Sequence, residues 1–205
     1  MRMKFIPALL MIIFTTVAYA HEQGDWLIRA GAHYVDPKSD NNDTVQVESA
    51  TMFTFDISYF LSQDWAIEVL AAAPFEHDIK LVGGSRAAST KHLPPTVSLQ
   101  YHFNPNGTFQ PYVGAGVNFT IFFDENTTGA LAGTDLELDS LSVGLAAQAG
   151  FDVALSNDWY LNASLRYIQI ETDGKVKNLP GNATLDLGSI EIDPWLFGLN
   201  LSKRF

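Results

Sequence analysis

Apolar and polar residues alternate with a period of two along most of this chain, marking strands with one apolar and one polar face. The last strand shows the pattern most plainly. Trp195, Phe197, Leu199 and Leu201 fall on one parity, Gly198, Asn200, Ser202 and Arg204 on the other, and Phe205 closes it. Seven further strands are predicted ahead of it. The first, near 25–35, places Trp26, Ile28, Ala30, Ala32 and Tyr34 on one face, and the second, about 51–61, sets Phe53, Phe55, Ile57 and Tyr59 against Thr54, Asp56 and Ser58. The third follows Ser62-Gln63-Asp64 with Trp65, Ile67, Val69 and Ala71. The fourth runs to Phe103 and carries Leu93, Val97, Leu99 and Tyr101 against Thr96, Ser98, Gln100 and His102. After the turn signal Asn104-Pro105-Asn106-Gly107, the fifth alternates from Val113 to Ile121. The sixth carries Leu141, Val143, Leu145, Ala147 and Phe151, and the seventh Trp159, Leu161, Ala163, Leu165 and Tyr167.

Short connections near 62, 105 and 157 alternate with longer, acidic ones at 36–49, 78–91, 124–140 and 171–189. Short periplasmic turns and long extracellular loops are the habit of outer-membrane barrels. The expected fold is therefore all-β, an eight-stranded antiparallel transmembrane β-barrel with both termini in the periplasm. A soluble barrel of lipocalin type also closes its edges and alternates, but would turn its apolar face inward. Trp26, Tyr59, Trp65, Tyr101, Trp159 and Phe205 all sit at the periplasmic strand ends on the apolar face. Aromatics at one level form the girdle of a lipid-facing surface, which favours the membrane reading.

The beginning of the chain agrees. Arg2 and Lys4 precede an apolar run from Phe5 to Val17 that ends in Ala18-Tyr19-Ala20. This is the pattern of a secretory signal peptide, so residues 1–20 are expected to be removed and 21–205 to form the barrel. Composition then closes off several functions. The formal net charge is −11, which excludes the basic footprint of a nucleic-acid partner. With no cysteine there is neither a disulfide framework nor thiolate chemistry.

At this point the chain resembles the outer-membrane protein W (OmpW) family. The resemblance rests on His21-Glu22-x-Gly24, Arg29-Ala30-Gly31, Ile67-Glu68-Val69-Leu70-Ala71-Ala72-x-Pro74-Phe75-x-His77 and His92-Leu93-Pro94-Pro95-Thr96. It continues with Pro111-Tyr112-Val113-Gly114-Ala115-Gly116 and Asp193-Pro194-Trp195. It implies an eight-stranded barrel whose narrow, apolar interior passes small hydrophobic molecules across the outer membrane of a Gram-negative bacterium. One departure is Lys203, on the lipid-facing parity where such barrels usually carry an apolar residue; snorkelling toward the interface would accommodate it.

The polar parity suggests how the interior works. Arg29, Asp56, Glu68, Asp152 and Arg204 fall near the periplasmic end, where buried charges demand partners, and are expected to pair into a plug. Above them Leu70, Ala72, Gly114, Gly116, Gly144, Ala146, Ile168 and Leu196 are small or apolar, offering either a hydrophobic lumen or the ordinary filling of a small barrel. Arg166, at mid-height, complicates a purely hydrophobic path. A solute that meets a blocked floor needs a side exit. Pro74, Pro94 and Pro95 each lack the N–H a ladder needs, which suggests a lateral opening between the third and fourth strands.

Catalytic signals are weak. Ser98 and His102 share a face but stand four residues apart on a strand, about 13 Å at the usual rise and too far for a nucleophile and its base. His77, Asp78 and His92 converge on the extracellular rim with looser spacing than a metal site requires. No enzyme activity, metal or cofactor is expected. The expected partners are outer-membrane lipids, small apolar solutes and the barrel-assembly machinery, which would meet the C-terminal strand ending in Phe205. Two functions remain in view: uptake of small apolar molecules, and a structural or surface-interaction barrel that works through its acidic loops.

Overall fold

The computed structural model describes residues 21–84 and 86–205, so the expected signal peptide lies outside the described residues. Fourteen strands follow one another. They are β1 (Trp26–Asp36), β2 (Val45–Val47), β3 (Ala50–Phe60), β4 (Trp65–Ala72), β5 (Phe75–Leu81), β6 (Arg86–Leu93), β7 (Thr96–His102) and β8 (Phe109–Thr127). After a 3-10 turn at Gly129–Leu131 come β9 (Asp135–Leu138), β10 (Leu141–Ala154), β11 (Trp159–Ile168), β12 (Glu171–Leu179), β13 (Ala183–Glu191) and β14 (Trp195–Arg204).

Eight of these, β1, β3, β4, β7, β8, β10, β11 and β14, form a closed antiparallel barrel. β1 pairs with both β3 and β14, and β8 closes the ring against β10 from Ile121↔Leu141 to Val153↔Phe109. Closure leaves no barrel strand with an unpaired edge, a condition hydrocarbon imposes because it offers backbone groups no other partner. The apolar parity faces outward: Phe53 is 70% exposed and Leu199 60%. The polar parity is buried, with Arg29, Ser58, Gln100, Asn162 and Ser202 all inside. That orientation is the reverse of a soluble barrel and fits a lipid-facing wall. At the periplasmic rim Trp26 lies 4.9 Å from Tyr59 and Trp65 4.9 Å from Tyr101, centroid to centroid. Lys203 joins this girdle, its ammonium 5.6 Å from the Trp159 ring and donating to the Asn157 carbonyl.

The long connections are not loops. β8 outruns the predicted strand and carries β6, β5 and β2 beside it, while β9, β12 and β13 form a second, three-stranded sheet. Together they extend the barrel wall beyond the membrane on the extracellular side. Charge hid them from the sequence: in β12, Glu171, Asp173 and Lys175 point out while Thr172 and Val176 point in, so the inward parity was thinly apolar. The predicted fourth strand is also divided, Leu93 ending β6 and Thr96 opening β7 with the proline pair between them.

If the outward face is the lipid face, Leu199→Arg, on a residue paired with Ala32 and Ala163 at mid-wall, should cost about 2–4 kcal/mol. Leu185→Arg on extracellular β13 should stay within about 0.5 kcal/mol. Urea titrations of tryptophan fluorescence in phospholipid vesicles measure both; equal losses would contradict the assigned membrane level.

Candidate functional site

The barrel interior is layered. At the periplasmic base Leu27, Phe60, Ala66, Ala154 and Tyr160 form a compact apolar cluster. His21 is fully buried among them, stacked on Phe60 at 4.0 Å and edge-on to His102 at 5.5 Å. The segment ahead of β1 thus turns back into the barrel mouth and helps close it.

Directly above, two guanidinium groups meet three carboxyl groups. Arg29 grips Asp152 with two nitrogens, Nη2 to Oδ2 at 2.8 Å and Nε to Oδ1 at 3.3 Å, and reaches Glu68 at 3.4 Å. Arg166 donates from Nη2 to Glu68 at 2.8 Å and to Gln148 at 2.9 Å, with Asp56 at 3.5 Å. Glu68 is the hub, its two oxygens also accepting from Gln148 at 2.9 Å and Gln100 at 2.5 Å. Asn162 carries the network outward from Asp152 to Asn200. All five charged side chains are at most 2% exposed. Such a group persists in a low dielectric only when the charges have partners.

Of the residues singled out for this plug, Arg29, Asp56, Glu68 and Asp152 come together, whereas Arg204 does not. It lies lower, at the periplasmic rim, bonded to Asp158 at 2.5 Å and 3.7 Å from Asp25. Arg166 takes the place that Arg204 was expected to fill. The inward face of Arg166 was legible in the sequence; its rung opposite Gln148 across β10–β11, which sets it level with Glu68, was not.

Above the charges the interior is polar rather than apolar. His33 shares hydrogen bonds with Thr54 at 2.8 Å and Ser164 at 3.3 Å, and Asn118 donates to Thr96 at 2.9 Å. Gly114 and Gly116 open no lumen here. A Cβ on Gly116 would come within 2.0 Å of the Val97 carbonyl, and one on Gly114 within 3.0 Å of Gln148. Leu70 is buried among these groups. Gly144 likewise lets a backbone approach, with the Gln169 carbonyl 2.0 Å from where its Cβ would stand. Only Ala72, Ala146, Ile168 and Leu196 reach an apolar layer, and that layer sits higher, in the extracellular extension.

The layer holds Val45, Ile79, Phe122, Leu136, Val176, Ile190 and Ile192, four of them, Val45, Ile79, Leu136 and Val176, from segments read as polar loops. Between its two sheets runs an apolar cleft, closed down in this structure to about 10 Å³, room for no more than one water molecule. His77 and His92 line it, stacked 5.0 Å apart with their rings 9° from parallel. Burial lowers the pKa of both, His92 to about 3, so at neutral pH they present uncharged imidazoles to the cleft. Asp78 faces away from this pair and binds Arg86 at 2.8 Å.

The three prolines bracket an interruption in the wall. The β4–β7 register stops at Leu70↔Thr96 and the β5–β6 register resumes at Phe75↔His92, with 71–74 on one side and 93–95 on the other. On its far side the same segment stays attached to β8, where Phe119 donates to the Pro95 carbonyl at 2.8 Å.

Because Glu68 serves both arginines, Glu68→Ala should destabilise the barrel by about 3–5 kcal/mol, while Arg204→Ala at the rim should cost under about 1 kcal/mol. Urea midpoints in vesicles check the ranking, with Glu68→Gln separating charge from shape.

Comparison with known proteins agrees with this architecture. The OmpW family profile matches residues 22–205. Outer membrane protein W of Vibrio cholerae is 43% identical over 214 residues, covering 97% of this chain and 96% of that protein. Among solved structures, the crystal structure of OprG from Pseudomonas aeruginosa superposes with a TM-score of 0.80 at 33% identity, over 91% of this chain and 98% of that one. The solid-state NMR structure of AlkL in DMPC bilayers gives 0.69 at 29% identity, over 94% and 95%. These likenesses run through barrel and extracellular sheets alike, and the chain belongs to the OmpW family of Gram-negative outer-membrane proteins.

Proposed function

We propose that this barrel takes up small apolar molecules from outside the cell and releases them sideways into the outer membrane. The observation that carries this reading is one of position. An uncharged cleft lined by Val45, Val47, Ile79, Phe122, Ile190 and Ile192 sits immediately above the broken ladder, over a floor of polar and ion-paired side chains. His77 and His92 line the cleft on the strands that begin at the break, so a molecule leaving the cleft meets the break first.

The chemistry sorts solutes. An ion or sugar gains nothing from the cleft and would have to displace a buried network to go further, whereas an apolar molecule loses only water contacts on arrival. Downward passage would force it past Asn118, Thr96, His33 and then Arg166. Sideways, it meets the exposed apolar residues Val97, Phe119 and Ile121, which flank the break and support reading that level as hydrocarbon. Pro74, Pro94 and Pro95 keep that wall from zipping shut, because none can donate to a neighbouring strand.

Refolded protein in liposomes should therefore pass a small apolar solute while excluding ions and sugars. Pro94→Ala with Pro95→Ala should slow apolar flux about fivefold for each ladder bond restored, without loss of folded barrel. Ion or sugar flux alone would make the lumen an ordinary aqueous pore. No flux of any kind would favour a surface-interaction barrel working through its acidic extracellular sheets.

A further inference from the structure

The cleft has a side exit but, in this structure, no open entrance, and the way in is written in how its walls are joined. The extracellular wall consists of two sheets, β8-β6-β5-β2 and β9-β12-β13, which meet along two seams. Along one, β8 runs into β9 through the turn at Gly129–Leu131, and Thr127 donates to the Thr134 carbonyl at 2.6 Å. That seam is covalently continuous and works as a hinge.

The other seam, between β2 and β13, has no backbone ladder among the described residues. The β1–β14 rungs end at Asp36↔Trp195, and Lys38 N–H to the Ile192 carbonyl at 2.9 Å adds one contact beyond them. From there two asparagine side chains take over. Asn41 Nδ2 donates to the Glu191 carbonyl at 2.7 Å, while its Oδ1 accepts from Val47 N–H at 2.7 Å. Asn42 Nδ2 reaches the Leu187 carbonyl at 3.2 Å and that of Ser189 at 3.4 Å, while its Oδ1 accepts from the N–H groups of Thr44 and Val45, each at 2.8 Å. Each amide thus clips β2 with its oxygen and β13 with its nitrogen. The Glu191 N–H adds a bond to the Asn41 carbonyl at 3.1 Å, and Lys38 pairs with the Glu191 carboxylate at 2.5 Å.

Immediately behind these clips lie Val45 and Val47 on one side and Ile190 and Ile192 on the other, four of the residues that line the cleft. From this we infer that the β2–β13 seam is the entrance: Asn41 and Asn42 latch it, and small apolar solutes reach the cleft when it parts about the β8–β9 hinge. This rests on the uptake reading above. A run of backbone rungs opens only cooperatively, whereas this seam is held by a few separate side-chain bonds, from a buried Asn41 and a half-buried Asn42. Within the seam, the apolar faces of Val45, Val47, Ile190 and Ile192 favour closure when the cleft is empty and offer a surface to an apolar visitor.

The asparagine chemistry supplies a selective test. Asn41→Asp with Asn42→Asp keeps every acceptor that shapes the approach to β2, removes the donors that grip β13 and sets a negative charge against the carbonyl oxygens they gripped. The chain has no cysteine, so an introduced one reports cleanly. In a Thr90→Cys background, a position buried at 3% in the cleft wall, the asparagine changes should speed labelling by an impermeant maleimide about tenfold or more, since each lost hydrogen bond is worth roughly a factor of five. Unchanged labelling in folded protein would overturn the latch.

A second variant closes the seam instead. Asn42→Cys with Leu187→Cys, bridged by a bis-methanethiosulfonate linker, should stop apolar flux in proteoliposomes, and reduction should restore it. Flux that continues at the unbridged rate would overturn the seam as entrance while leaving the uptake reading intact. Absence of apolar flux in the unmodified protein would instead refute uptake, and this entrance with it.

Discussion

Inside a bilayer a backbone N–H or C=O without a partner costs several kcal/mol, and nearly everything about this protein follows from that constraint. It closes the eight strands into a ring, and it fixes their register so that the apolar parity meets lipid. It also gives meaning to the two places where the wall is not laddered. At 71–74 against 93–95 the prolines withhold donors at the level of the hydrocarbon, and along β2 and β13 asparagine amides stand in for backbone beyond the membrane. A soluble sheet could carry the first irregularity without consequence, because water would fill the vacancies, as it can at the second.

The interior answers the same constraint by other means. Eight strands leave room for side chains and little else, so every polar residue turned inward must find a protein partner. Glu68 between Arg29 and Arg166 meets much of that demand for the charges and the Asn162–Asn200 chain part of it for the amides, while Arg166 Nε and Nη1 and Asn200 Oδ1 are left without a hydrogen bond. Replacing such a network by apolar side chains often costs no stability, so stability alone does not account for it. What it sets in place is a charged, hydrogen-bonded layer between an apolar layer above and an apolar cluster below.

Strand number, termini and lipid-facing parity were legible in the sequence because a period of two repeated over a whole strand has no other cause. Leu199 and Phe197 announced their face before any neighbour was known. The plug was legible in part: Arg29, Asp56, Glu68 and Asp152 shared the inward parity, but height along a sheared barrel depends on register, and register misplaced Arg204 and Arg166. The apolar cleft was hidden almost entirely. Its walls alternate a modest inward residue such as Thr172 or Val176 with a charged outward one, and that charge read as loop. Asn41 and Asn42 carried no signal, because their partners on β13 lie roughly 150 residues away.

The tie between Arg29 and Asp152 spans 123 residues, and the ring itself closes between the first strand and the last. Hairpin contacts such as Gln148 with Arg166 on β10–β11 can form early, but the ties from Arg29 to Asp152 and Glu68 bring β1 to β10 and β4 and complete the floor late. Contacts this distant form slowly and late. Ring closure and completion of the floor thus coincide: a chain still open along β1 lacks the Arg29 ties, and a chain that has gained them has its first and last strands already in register.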